Sequence, residues 1–268
     1  MDFVLFGGGQ AGKAAAEALW AAHPDSFAGL VWDAGTGAPP RLKRPPRLDE
    51  QASAGQAQVL LCSGYGRRLQ EELLQSFPGG AFNAHPSLLP DYRGRHAIQY
   101  AIAQKERELG VTIHRMTSQL DQGEHLLVRR RRFGLDWAYP AIAASLAQMA
   151  AEMLVELVDA LIAGRPPAPL PMPGEAKPYL PRRQPAEGRV DWREDGYQVL
   201  CRVRAGAPGY PAFALRSDGS RVDFQGCLCG SRPGQVLIST PRGCLISTND
   251  GVVWLLPNQP LAEGEVLL

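Results

Sequence analysis

Apolar runs alternate with helical stretches through the first 160 residues. Residues 3–6, 30–33, 59–62, 81–84, 111–116 and 126–133 predict strands, and residues 11–22, 67–75 and 97–104 predict helices between them. Ile142, Leu146, Met149, Met153, Leu157 and Leu161 then recur at helical spacing until Gly164 and Pro166. Strand–helix alternation implies an α/β fold, a mostly parallel, Rossmann-like sheet covered on both faces. Its last two strands follow too closely for a crossover and are expected to be antiparallel. Residues 166–185 hold eight prolines and read as an extended linker. Beyond it, residues 212–215, 221–224, 235–238, 243–247 and 252–256 are short runs separated by turns such as Asn249-Asp250-Gly251. They predict a smaller C-terminal all-β part, an OB-like open barrel. The expected division is thus 1–165, 166–185 and 186–268.

Composition narrows the function. The chain has 268 residues, with 28 basic against 27 acidic side chains and a formal charge of +1. That excludes attachment to nucleic acid by overall charge and leaves room for a local basic patch. No uninterrupted apolar run reaches the roughly 18 residues of a membrane span, so no membrane partner is expected. Five scattered cysteines suggest reduced thiols and a cytoplasmic location.

The first turn, Gly7-Gly8-Gly9-Gln10-Ala11-Gly12, fits a dinucleotide-binding pattern, with Asp33 at the end of the second strand. It supports an alternative reading as an NAD(P)-dependent oxidoreductase. The bland reading is a tight turn that lets the first helix pack. A P-loop is excluded because Ala14 stands where Ser or Thr would hold magnesium. The run Arg129-Arg130-Arg131-Arg132 divides between two strand faces and reads as a guarded edge. Cys227-x-Cys229 with Cys201 and Cys244 lacks zinc-knuckle spacing, and small core thiols are the reading kept.

The most specific stretch is Asn83-Ala84-His85-Pro86-Ser87-Leu88-Leu89-Pro90-Asp91-Tyr92-Arg93-Gly94. A strand ending in Asn-x-His places both polar side chains on one face. Leu120-Asp121-Gln122-Gly123 brings a carboxylate into a later loop. These segments resemble the folate-dependent formyltransferases, the family of methionyl-tRNA formyltransferase and the amino-sugar N-formyltransferases. Gly110–His114 is similar to the family's next strand, and Gly188–Trp192 and Pro233–Leu237 are similar to its C-terminal barrel.

The resemblance implies an enzyme that uses 10-formyltetrahydrofolate as cosubstrate, with no metal. Asn83 and His85 would hold the formyl oxygen, and Asp121 would support a His85 cation and take the amine's proton. Ser63, Gly64, Tyr65 and Gly66, with Pro86, Ser87, Leu88, Thr117, Ser118, Gln119 and Leu120, would line the folate pocket. His114, mid-strand, reads as structural. The junction at Arg182-Arg183 looks like that of enzymes acting on small metabolites, so the primary amine of an amino sugar or amino acid is the leading acceptor. The alternative is tRNA, because Arg41, Lys43, Arg44 and Arg47 fall where that branch carries a basic loop. Gln122, Arg95-His96 and a shrunken stretch between Asp33 and Val59 depart from the family pattern.

Overall fold

The computed structural model describes the chain except Arg44, Met172, Ala176, residues 207–209, Ser217, and residues 229–238, 241–242, 249–250 and 259–268. The expected strand 235–238 and the turn residues Ser217, Asn249 and Asp250 therefore lie outside the described residues, as does the family-like segment from Pro233. Contacts divide the chain into two compact units: Met1–Gly94 with Leu109–Arg131 and Ala143–Tyr179, and Arg95–Glu108 with Arg132–Ile142 and the chain from Leu180.

The first unit is built on strands β1 (Phe3–Gly7), β2 (Phe27–Trp32), β3 (Arg47–Leu48), β4 (Val59–Ser63), β5 (Gly80–His85), β6 (Glu108–Arg115) and β7 (His125–Arg132). They form one sheet in the order β3-β2-β1-β4-β5-β6-β7. Every residue of β1 and β4 is buried, as expected of central strands covered on both faces. Each large apolar side chain buried there contributes about 1.5–3 kcal/mol. Helix α1 (Gly9–Ala22) packs on β1 through Ala15, Ala16 and Leu19. Two short helices follow, α2 (Glu50–Ser53), capped by the Asp49 carboxylate, and α3 (Glu71–Gln75), which packs on β5. On one side Val4, Phe6, Val31, Leu60, Leu69, Leu74 and Phe77 form a continuous core.

Pairs β1–β2, β1–β4, β2–β3 and β4–β5 are parallel, but β5–β6 is antiparallel. The sequence pattern located the sheet's reversal only at the last pair. Residues 86–107 contain a helix, α4 (Ala97–Ala103), which suggested a crossover; the chain instead comes back alongside β5 in the opposite sense. Helix α5 (Tyr139–Ile162) is long and apolar enough, by length and composition, to cross a membrane, a match that counting uninterrupted apolar runs did not register. Its Leu146, Met149, Met153, Leu157 and Val158 are buried while Gln148, Glu152 and Asp159 are exposed, the division expected of a helix laid on a core.

In the second unit, helix α6 (Gly196–Arg204) is N-capped by Asp195, which accepts the Gln198 N–H at 2.7 Å. Strand patterning did not reveal this helix. It packs on a five-stranded antiparallel sheet of β8 (Ala212–Leu215), β9 (Arg221–Leu228), β10 (Ser239–Thr240), β11 (Gly243–Thr248) and β12 (Gly251–Pro257), in the order β10-β11-β12-β9-β8. Val190, Val199, Val203, Ala212, Ala214, Val222, Phe224 and Leu255 form its core. Cys201 is a buried free thiol; the other three C-terminal cysteine side chains lie outside the described residues.

Candidate active site

The reversal between β5 and β6 builds the centre of the site. In this register Asn83 lies opposite His114, and His85 opposite Thr112. Directly opposed residues share a face, so His114 joins Asn83 and His85. Asn83 Nδ2 lies 3.2 Å from His114 Nε2, and His114 Nδ1 lies 3.0 Å from the Arg115 carbonyl. A carbonyl only accepts, so Nδ1 carries a proton, and the Nε2 edge of the ring faces the Asn83 amide. By the same logic His85 donates Nε2–H to the Tyr92 carbonyl at 3.0 Å. Its Nδ1 faces Asp121 Oδ1 at 3.6 Å, and the same oxygen lies 3.6 Å from His114 Nε2.

Asp121 is held from behind. Its backbone is left-handed, with φ 55°, and Oδ2 accepts the Gly94 N–H at 2.9 Å. Burial pushes its carboxyl up, but His85, His114 and the Gly94 N–H outweigh that and hold it at about 2. Asp121 is therefore an anion at neutral pH. Burial lowers His85, a stronger influence than the opposing pull of Asp121; His114 and Arg93 lower it further, and its bond to Tyr92 raises it. This favours the uncharged imidazole at rest and works against the carboxylate-supported cation of the sequence reading, which Asp121 and Tyr92 favour. Desolvation makes the difference, since His85 is only 5% exposed.

The residues assigned to folate lie in three stretches, at the ends of β4, β5 and β6. After β4, Ser63 is fully buried and its hydroxyl has no partner among the described residues. Tyr65 donates to Glu50 Oε1 at 2.5 Å, and burial, then Glu50, push the phenol up. Gly66 N–H donates to Asp33 at 3.1 Å. The loop after β6 closes on itself: the Thr117 hydroxyl donates to Gln119 O and accepts the Gln119 N–H. Arg68 joins the loops after β4 and β6 by donating to the Ser118 carbonyl at 2.8 Å. Leu120 is 36% exposed. Pro86 and Leu88 are half-buried beside the site. The Ser87 hydroxyl is spent on the Asp91 carbonyl at 2.8 Å and so shapes the loop.

The first glycine turn has other work. Gly8 N–H donates to the Ser63 carbonyl and Gly9 N–H to Thr36 Oγ1. Asp33, which a dinucleotide ribose would need, accepts from Gly35 and Gly66. A Cβ on Gly8 would come within 2.5 Å of the Gly64 carbonyl, and one on Gly64, at φ +68°, would collide with Gly8 O. These glycines let two strand-end turns meet backbone to backbone.

Sequence reasoning underrated His114 and passed over Arg93, Arg68 and Glu50. The signal for His114 was the register of an antiparallel pair, which a one-dimensional pattern does not carry.

A loop carboxylate beside two imidazoles and an amide on facing strands makes a proton-handling site suited to acyl transfer. Comparison with known proteins agrees. Residues 13–158 match the formyl transferase family, and residues 183–265 match its C-terminal domain. The chain belongs to the formyl transferase family and is an enzyme of that kind. It is 33% identical to methionyl-tRNA formyltransferase of Myxococcus xanthus over 229 residues, 85% of this chain and 72% of that one. Its fold resembles an N-formyltransferase from Helicobacter canadensis solved with folinic acid and dTDP-3-aminofucose, with a TM-score of 0.77 at 14% identity, covering 97% and 100% of the two chains. It also resembles HypX from Aquifex aeolicus, at TM-score 0.69 and 17% identity; all of this chain spans only 46% of that longer protein.

Proposed function

We propose that the protein transfers the formyl group of 10-formyltetrahydrofolate to the primary amine of a small metabolite, such as a nucleotide-linked amino sugar or an amino acid. The observation that carries this reading is that His85 and His114 each lie 3.6 Å from the Asp121 carboxylate, with the Asn83 amide 3.2 Å from His114. The neutral amine attacks the formyl carbon, forming a C–N bond and a tetrahedral oxyanion. The free N–H of Asn83 and the Nε2–H of His85, released from Tyr92 O, donate to that oxygen. Removing such a donor typically costs about 3–4 kcal/mol. Asp121 takes the amine's proton, directly or through one water. The proton then passes from Asp121 to His85 Nδ1 and from His85 Nε2 to N10 as the C–N10 bond breaks, leaving a formamide and tetrahydrofolate.

Two observations favour a small acceptor: the balanced charge of +1 and the amino-sugar nucleotide in the Helicobacter canadensis neighbour's complex. The tRNA reading is favoured by the 33% identity to a methionyl-tRNA formyltransferase. In the loop that would serve tRNA, Arg41 and Lys43 are exposed, but Arg47 donates to the Pro40 carbonyl within the loop itself. Supporting a reducing cytoplasm, Cys62 and Cys201 are free thiols. The proposed division places the chemistry in residues 1–165, ahead of the linker 166–185 and a β part at 186–268. The test is incubation with 10-formyltetrahydrofolate and a panel of nucleotide-linked amino sugars, amino acids and methionyl-tRNA, read by mass for the gain of one CO. Formylation of methionyl-tRNA alone would overturn the small-acceptor reading, and NAD(H)-dependent turnover the whole proposal.

A further inference from the structure

Arg93 is only 6% exposed, and its guanidinium meets no carboxylate among the described residues. It makes two charge-assisted bonds to backbone carbonyls instead, to Leu120 O and to Lys177 O, each at 2.8 Å. Its Nε is buried without a partner among the described residues. Taking a guanidinium out of water costs several kcal/mol, which such bonds offset only in part. The two carbonyls lie 27 and 84 residues away in the chain, so neither bond serves the local turn.

The first of them is significant because Leu120 O belongs to the peptide immediately before Asp121. Rotation of that peptide plane sets the Asp121 φ, which is +55°, a region that non-glycine residues seldom occupy. The next residue, Gly94, donates its N–H to Asp121 Oδ2. Consecutive residues thus hold both sides of the aspartate, Arg93 its preceding carbonyl and Gly94 its carboxylate. The second bond reaches the proline-rich segment, where Lys177 also pairs with Asp91 at 2.6 Å. Residues 91–94 are therefore tied at one end to the aspartate and at the other to the linker.

The geometry points to Arg93 as a positioning residue: it fixes the left-handed peptide that aims the Asp121 carboxylate at His85 and His114, and it makes the linker around Lys177 part of that support. Nothing in this requires Arg93 to touch a substrate. The inference concerns the same site as the proposed function, but its primary test needs no acceptor.

Among the described residues, the titratable groups facing the Asp121 carboxylate are His85, His114 and the Cys62 thiol, with the Gly94 N–H as donor. Their hold on it is the readout. Carbon-detected NMR of the aspartate carboxyls would follow Asp121 through an acid titration in the full-length protein and in Arg93→Met and Arg93→Lys. In the wild type it should titrate at about 2. Lysine keeps the charge but not the planar fork that reaches two carbonyls. Both variants should therefore let the carboxylate drift from its partners, and its titration should rise by about one pH unit or more. A rise in Arg93→Met with Arg93→Lys unchanged would mean charge alone matters and would overturn the inference. So would lower thermal stability with Asp121 still titrating at about 2, the mark of a merely structural arginine. If Arg93→Met does not fold, Arg93→Lys decides alone. Once an acceptor is known, kcat should fall by about 10² with the folate KM little changed, since small misplacements of reacting groups cost that much. A wild-type enzyme without turnover would count against the proposed function and leave the titration readable.

Discussion

Replacing Asp121 by asparagine keeps the shape of the side chain and an oxygen for the Gly94 N–H, and removes only the charge. Asp121 Oδ1 lies 3.6 Å from both His85 Nδ1 and His114 Nε2. At an effective dielectric of about 20, a unit charge at that range stabilises an imidazolium by about 4–5 kcal/mol. Side-chain exposures of 7% for His85 and 13% for Asp121 argue against strong screening by water. Burial favours an uncharged His85 at rest, so this attraction develops as the ring gains a proton, which makes it an effect on the transition state more than on binding. Allowing half of it to be recovered by reorganisation, about 2–2.5 kcal/mol remains, and kcat should fall by about 30- to 70-fold. The assay is the initial rate of tetrahydrofolate release across pH 6–9, at saturating folate and acceptor. Folate affinity should stay close to that of the wild type, and higher pH should not restore the rate, because neither the His85 cation nor the nearby proton acceptor is regained. An Asp121→Asn enzyme within tenfold of wild type, or one rescued at high pH, would refute the reasoning.

Asn83→Ala and His85→Ala should each lower kcat by about 10²–10³, and the losses should be strongly non-additive with that of Asp121→Asn because all three serve one transition state; double-mutant kinetics measure this. His114→Ala removes the ring edge that faces the Asn83 amide and should cost about tenfold or more in kcat with the folate KM little changed, whereas equal loss in both would show a general collapse of the pocket. Acid unfolding should report Asp121. Its folded value of about 2 lies below the ordinary 3.8, so its contribution of about 2 kcal/mol is present above pH 4 and is lost as pH falls towards 2; Asp121→Asn should flatten denaturation midpoints across that window. Isothermal titration should find no saturable micromolar NAD(H) binding, and Asp33→Ala should lower thermal stability by freeing the Gly66 N–H; dinucleotide binding that disappears with Asp33 would contradict this.

Most of the sheet was legible because central strands are short, continuous apolar runs. Residues 59–62 against Val59–Ser63 and 81–84 against Gly80–His85 differ only at their ends. The expected helix 67–75 is helical only at Glu71–Gln75. Its first residues serve a loop that carries Arg68 to the Ser118 carbonyl, and tertiary contact overrides local propensity there. Helix α6 escaped notice because three apolar residues, Val199, Leu200 and Val203, are a faint stripe; its Asp195 cap was the better signal. Asn83, His85 and Asp121 could be singled out because their spacing is distinctive. His114 could not, since its place in the site follows from strand direction, and both directions fit the same hydrophobic pattern. Arg93 was hidden by a different fact: its partners are carbonyls, which carry no sequence signature.

The β5–β6 reversal separates what this enzyme can change from what it cannot. Asn83 and His114 face each other because of ladder hydrogen bonds, and a slip of one residue would turn His114 to the other side of the sheet. The reacting groups thus depend on a discrete register, with no intermediate setting. The surrounding turns face no such all-or-none constraint and can lengthen, shorten or exchange residues by degrees. A lineage built on this scaffold is free to explore new amines through its loops while the ladder keeps the proton chemistry unchanged. Grafting a loop from a relative with another acceptor is therefore a sounder route to altered specificity than editing the strands.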